Sequence, residues 1–330
     1  MSHRTDPSQA TVRLLAFGML KGVGPATLRK IAMVDGFERL RPDEIGRIFS
    51  AVEKALREDS AWKVANDAAE RQVELSRDAG ATVLSLADLN YPLQLRQTND
   101  DPAILYVKGA LSFDQPSVAL IGTRKPTEHG IEITKRLAKY FVSEGWSVIS
   151  GLALGCDAVA HQAALDTGGH TVAVLAHGLQ TIAPSKNRQL AEDILSSGGA
   201  LVSEFPFGVE PLPQYFVQRD KTQAGMAEGV VMVQSDIEGG SLHASRAALS
   251  YGRWLAVPYP TVQDRASGSE KIQANLLLAD GSEAERADLL RVPVSRLNQV
   301  VILRTKKDYV KIFREDGVSV ELPEVGPGLF

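Results

Sequence analysis

Hydrophobic positions along this chain follow two regimes. From residue 117 to about 260, short runs that are apolar at nearly every position (118–121, 146–149, 171–175, 200–204, 230–233 and 254–258) alternate with longer stretches in which apolar residues recur every three or four positions. A run without polar alternation is covered on both faces, as strands of a parallel sheet between two helical layers are. Strand, glycine-containing turn and helix therefore repeat, and the spacing predicts an α/β fold: a doubly wound, mostly parallel sheet over residues 91–285.

The segment 1–90 shows mainly the helical period and is expected to form a helical domain that folds by itself. Within it Leu14, Leu15, Phe17 and Leu20 lead into Lys21-Gly22-Val23-Gly24-Pro25, and Leu28 and Ile31 follow. That is the pattern of a helix-hairpin-helix, whose glycine amides can touch a nucleic-acid backbone without reading bases. It is equally the pattern of a tight connection in a small bundle. Residues 80–86 read as a strand, and 104–107 as an additional one. Beyond residue 286 the apolar runs 300–303, 309–313 and 318–322, with Asp316-Gly317 between the last two, predict a small β meander at 286–330.

Composition changes this picture little. Hydrophobic content of 44% with 23% charged residues is that of a globular protein with a sizeable core. A single cysteine, Cys156, excludes an intrachain disulfide, and no apolar run is long enough for a membrane span, so a cytoplasmic protein is expected. The net charge of −4 argues against a broadly basic surface. Any contact with a polyanion must come from a few placed residues.

Those residues cluster at turns. Gly122-Thr123-Arg124 follows the first parallel strand and Ser150-Gly151 the second. Lys186-Asn187-Arg188 stands beyond the third, Arg219 and Lys221 lie at a helix entrance, and Gly239-Gly240-Ser241 follows a later strand. Loops at the carboxyl edge of such a sheet face one crevice, so Arg124, Lys186, Arg219 and Lys221 are expected to converge on one phosphate-binding groove. Gly122 and Gly151 would let its backbone approach the ligand, and helix starts beyond them would point amides at an anion. Asp157 and His161, four apart on one helix face, are expected to pair and brace the Ser150-Gly151 loop. No cluster has metal-ligand spacing, and neither metal nor cofactor is expected. Tyr215, Phe216 and Tyr251 are candidates for stacking on bases, although Phe216 reads as inward-facing. His177 and His243 are candidates for the rim.

Gly122-Thr123-Arg124, Ser150-Gly151-Leu152-Ala153 with Gly155, Asp157, Ala160 and His161, then Pro184, Asn187, Ser203-Glu204, Phe216, Arg219, Gly240-Ser241-Leu242, Gly252-Arg253, Val257-Pro258, Asn275-Leu276 and Gly281 make the stretch 91–282 resemble the DprA/Smf family of DNA-processing proteins. The resemblance implies a Rossmann-like domain with a SAM-like helical N-terminus that binds single-stranded DNA without established catalysis. It also implies protection of strands during natural transformation, loading of a RecA-type recombinase, and a homodimer. Two departures stand out. The family's Arg-Asn-Arg stretch is Arg219-Asp220-Lys221 here, and its Ser-Gly-Ser-Leu turn is Gly239-Gly240-Ser241-Leu242. No winged helix is recognisable in the tail. Such differences suggest a diverged relative, working beside a mobile element or in phage defence. A second reading is a nucleotide-processing phosphoribohydrolase, which the loop 238–245 disfavours because it lacks the Pro-Gly-Gly-x-Gly-Thr-x-x-Glu signature. A third is a nucleotide-sensing regulator.

Overall fold

The computed structural model describes residues 6–312 other than Phe113. Nine strands among them form one sheet: β1 Ala81–Ser85, β2 Ile104–Gly109, β3 Ser117–Ile121, β4 Ser147–Ser150, β5 Thr171–Leu175, β6 Ala200–Ser203, β7 Gly229–Met232, β8 Trp254–Pro258 and β9 Val300–Leu303. Their spatial order is β1-β2-β6-β5-β4-β3-β7-β8-β9. The stretch from β6 to β9 is parallel throughout, whereas β2 runs antiparallel to β6 and β1 antiparallel to β2. The α/β, doubly wound, mostly parallel architecture expected from the apolar runs is what the chain adopts.

Side chains alternate across each strand, which is why both faces need cover. On β3, Ala119 and Ile121 enter one core with Leu242 and Leu249 of the helix Ser241–Ser250, while Val118 and Leu120 enter the opposite core with Leu137 and Phe141 of the helix Glu128–Ser143. On that opposite side, β1, β2, β5 and β6 are covered by the N-terminal helices. Leu14, Phe17, Ile31 and Ile45 share one continuous apolar cluster with Val83, Tyr106, Leu175 and Leu201.

The N-terminal helices thus close their core against the sheet, and their segment also supplies the edge strand β1. The helical pattern predicted the elements but not their cover. In the Gly22-Val23-Gly24 connection Val23 is buried, its amide donates to the Leu20 carbonyl at 3.1 Å, and the helix Pro25–Ala32 begins at once. Among the described residues the helices carry no stretch long and apolar enough to cross a membrane.

The tail differs from the expected meander. Its first run is β9, which extends the sheet in parallel register, Leu255 beside Val300. The exposed edge of β8 offers a ready ladder to an incoming strand. Its second run falls largely in a 3-10 turn, Lys306–Lys311, opened by a Thr305/Asp308 capping box and packed through Tyr309 on Tyr140, ring centroids 4.9 Å apart. The third run lies outside the described residues.

Candidate functional site

β3 lies between β4 and β7, and the chain leaves it in one direction and returns on the other side. That reversal of strand order opens a crevice beyond the carboxyl ends of β3 and β7. A cleft of about 840 Å³ occupies this position, lined by the turn 121–125, the loop 235–241 and one face of the helix Pro213–Gly225.

The turns around it are stitched to one another. The Thr123 amide donates to the Gln234 carbonyl at 2.8 Å, and the Cys156 amide to the Thr123 carbonyl at 3.2 Å. Asn275 holds the ends of β7 and β8 together: it accepts from the Ser235 amide at 3.0 Å and donates to the carbonyls of Val233 (2.8 Å) and Pro258 (3.1 Å). Asn187 is buried and donates to the Leu152 carbonyl at 2.8 Å, so it fastens the third turn to the second and does not face a ligand. Ser150 is likewise buried, donating to the Leu120 carbonyl at 2.6 Å.

Arg219 is the centre of the cleft floor. It is 5% exposed, with Nε 3.1 Å from Asp220 and a terminal nitrogen 3.8 Å from Asp157, and it donates to the Val174 carbonyl at 3.2 Å. A Cβ on Gly151 would occupy the place of its guanidinium, and one on Gly122 would collide with the Cys156 side chain. Both glycines are therefore required by the protein's own packing; Gly122 also lines the cleft, whereas Gly151 does not. Burial pushes the Asp220 carboxyl up to about 7, opposed by Arg219, reinforced by Asp157 and opposed again by Arg124. Burial also raises Asp157, against the pull of Arg219 and of the Ala153 and Gly151 amides.

Asp157 and His161 do not pair. Asp157, at the start of the helix Cys156–Asp166, turns back to the loop before it, where the Ala153 amide donates to it at 3.4 Å. His161 is wholly buried, with Nδ1 2.7 Å from the Thr171 hydroxyl; that hydroxyl donates to the Val148 carbonyl, so the ring carries its proton on Nδ1. Desolvation lowers this imidazole to about 3, and it stays neutral. Each residue braces a different neighbour. Burial pushes the Cys156 thiol up to about 12, consistent with an inert packing role.

The model of the family described as DNA recombination-mediator protein A matches residues 82–284. The chain belongs to this family. Protein Smf of Escherichia coli is 40% identical over 172 residues, 52% of this chain and 46% of that protein. The DNA processing protein DprA of Bacillus subtilis is 34% identical over 199 residues, 59% of this chain and 67% of its own length. The chain thus spans about half to two thirds of the length of these relatives. The X-ray structure of DprA from Streptococcus pneumoniae superposes with a TM-score of 0.67 at 22% identity, covering 93% of this chain and 98% of the other. The structure of DNA processing protein A from Helicobacter pylori, described for its single-stranded DNA binding mode, gives 0.57 at 25% identity over 71% of this chain and 95% of the other.

Within this family frame the expected groove is only partly assembled. Gly122, Thr123, Arg124, Arg219, Gly239, Gly240 and Ser241 line the cleft, but Ser150, Gly151, Lys186, Asn187 and Lys221 do not. Lys221 points the other way, 3.2 Å from Asp100, which also accepts from the Tyr251 hydroxyl at 2.9 Å. Residues 219 and 221 are two positions apart on a helix, roughly 200° around its axis, and cannot share a face. Four cations (Arg124, Lys125, Arg219, Lys271) meet four carboxylates (Asp157, Asp220, Asp236, Glu270), and Lys271 is paired with Asp236 at 2.9 Å. The cleft is formally balanced, not a basic groove.

Arg124 and Lys125 are its exposed cations, and neither is ion-paired among the described residues. Phe216, expected in the core, is half-buried in the cleft wall with the Arg124 guanidinium 5.4 Å and the Arg219 guanidinium 5.8 Å from its ring centroid. Tyr215 packs on Phe205 (4.4 Å), while His243 lines the cleft and His177 is buried at the end of β5. Sequence reasoning passed over Lys125, Gln223 and Lys271. The spacing of 216, 220 and 223 on one helix face was the signal for Gln223.

Proposed function

We propose that this protein binds single-stranded DNA across the carboxyl edge of its sheet. The observation that carries the reading is the open cleft at the strand-order reversal, where the exposed Arg124 and Lys125 stand beside the accessible ring of Phe216. A cation pair beside an aromatic face suits a phosphodiester and its neighbouring base, and it makes few sequence demands. The likeness to the H. pylori protein supports the same reading. Lys186 and Arg188, exposed beyond β5 and tied to the β4 loop through Asn187, extend the path along the sheet edge. We infer binding without catalysis as the primary role, with recombinase loading and self-association in a homodimer as properties expected of the family.

Fluorescence anisotropy with labelled single strands and duplexes at two salt concentrations tests this. Arg124→Ala should weaken binding to every single strand and flatten the logarithmic salt dependence by about 0.7 per lost phosphate contact. Unchanged affinity and slope in a folded Arg124→Ala protein would remove the cleft from the binding path.

A further inference from the structure

One buried donor on the cleft floor has no partner among the described residues. Gln223 is 1% exposed and lines the cleft, yet its Nε2 makes no hydrogen bond to any described residue, whereas the Arg219 Nε stands 3.1 Å from the Asp220 carboxyl. Buried polar groups are rarely left in this state, and an unmade bond at a concave site points to a missing acceptor. Phe216, Asp220 and Gln223 stand at i, i+4 and i+7 of the helix Pro213–Gly225, so an aromatic ring, a carboxyl and an amide share one face. Beside them the start of the helix Ser241–Ser250 is open, because an added Cβ on Gly240 would meet nothing within 4 Å.

The charges of the cleft cancel, so the attraction of its floor for a phosphate is weak, and hydrogen bonds and stacking must supply what selectivity it has. The ligand should carry an acceptor for the amide of Gln223 next to a donor for Asp220, on a flat ring that can cover Phe216. Guanine and thymine (or uracil) have that edge, a carbonyl adjacent to an imino N–H. Adenine and cytosine present the reverse, an exocyclic amino group adjacent to a bare ring nitrogen.

We propose that the cleft floor takes one unstacked nucleobase and selects keto bases through Gln223 and Asp220. This rests on the single-strand reading above and deepens it: phosphate contacts would hold any strand, and this pocket would give the chain a base preference. The groups that face Asp220 are Arg219, Asp157 and Arg124. Because burial lifts its carboxyl to about 7, the measurement belongs at pH 8, where it accepts.

The test compares oligo-dU with oligo-dC of equal length, which differ only on the edge in question, with dUMP and dCMP as competitors. Oligo-dU should bind more tightly by on the order of tenfold, and dUMP should displace it at lower concentration than dCMP if the pocket also takes a free nucleotide. Gln223→Leu should bring the ratio close to one without altering the salt slope. Asp220→Asn should do the same, because an amide serves either edge, and it decides the matter alone if Gln223→Leu does not fold. Equal binding of dU and dC by the wild type, or a preference that survives in folded Gln223→Leu and Asp220→Asn, overturns the pocket while leaving strand binding intact. Failure to bind either oligomer overturns the single-strand reading itself and the pocket with it.

Discussion

Arg219→Met separates a structural cation from a ligand-binding one. In the folded protein the guanidinium stands 3.1 Å from the Asp220 carboxyl and 3.8 Å from that of Asp157, with all three side chains at most 16% exposed. At an effective dielectric of ~20 those separations correspond to attractions of roughly 5 and 4 kcal/mol, against which the desolvation of the arginine must be set. Removing one partner of a buried pair commonly costs about 3–5 kcal/mol, because the remaining charge stays buried. Methionine keeps most of the aliphatic volume, and Asp220 can escape part of the penalty by taking up a proton. A net loss of about 3 kcal/mol at pH 8 is expected, a fall in melting temperature of roughly 5–10 °C for a chain of this size. At pH 6 the deficit should shrink, since the Asp220 carboxyl, lifted to about 7, is then largely neutral. Thermal unfolding followed by circular dichroism at the two pH values, with exposed Arg124→Met as a control that should move by no more than about 0.5 kcal/mol, measures this. An Arg219→Met protein that melts with the wild type at pH 8 yet no longer binds single strands would refute the reasoning and make Arg219 a free phosphate ligand.

Asp220→Asn should alter the pH dependence of stability. A carboxyl lifted to about 7 in the folded state takes up a proton on folding, so the wild type loses stability as pH rises from near 4 through 7, and the asparagine variant does not. Urea titrations at pH 5 and 8 should show the variant gaining on the wild type at the higher value; the opposite order would mean that the ion pair with Arg219 outweighs desolvation. His161 works in the other direction: its folded imidazole titrates near 3, so its contribution is intact above about 6.5 and is lost as pH falls. Replacing it with glutamine should flatten that acid limb in the same titrations. Gly155→Ala should cost at least about 3 kcal/mol, since Gly155 has φ +83° and a Cβ there would strike the Thr123 carbonyl and the Arg124 backbone; a soluble variant with wild-type melting would show that this turn can shift.

Local pattern alone determined the uniformly apolar strands β3 to β8, the helices between them and the turns that carry Arg124, Ser150 and Gly240. Strand period, helix period and glycine punctuation are written residue by residue, and two-sided burial follows from the absence of polar alternation. The point at which strand order reverses is a property of the tertiary structure, and it places the cleft beyond β3 and β7 and leaves Lys186 two strands away. Tertiary packing also turned Arg219 inward to two carboxylates, sent Lys221 to Asp100, and seated the N-terminal helices on the sheet. A basic residue in a loop or helix entrance is compatible with solvent, a ligand or a buried acid. Which of these it meets depends on segments more than a hundred positions away, as with Lys221 and Asp100, and only the folded chain brings them within reach.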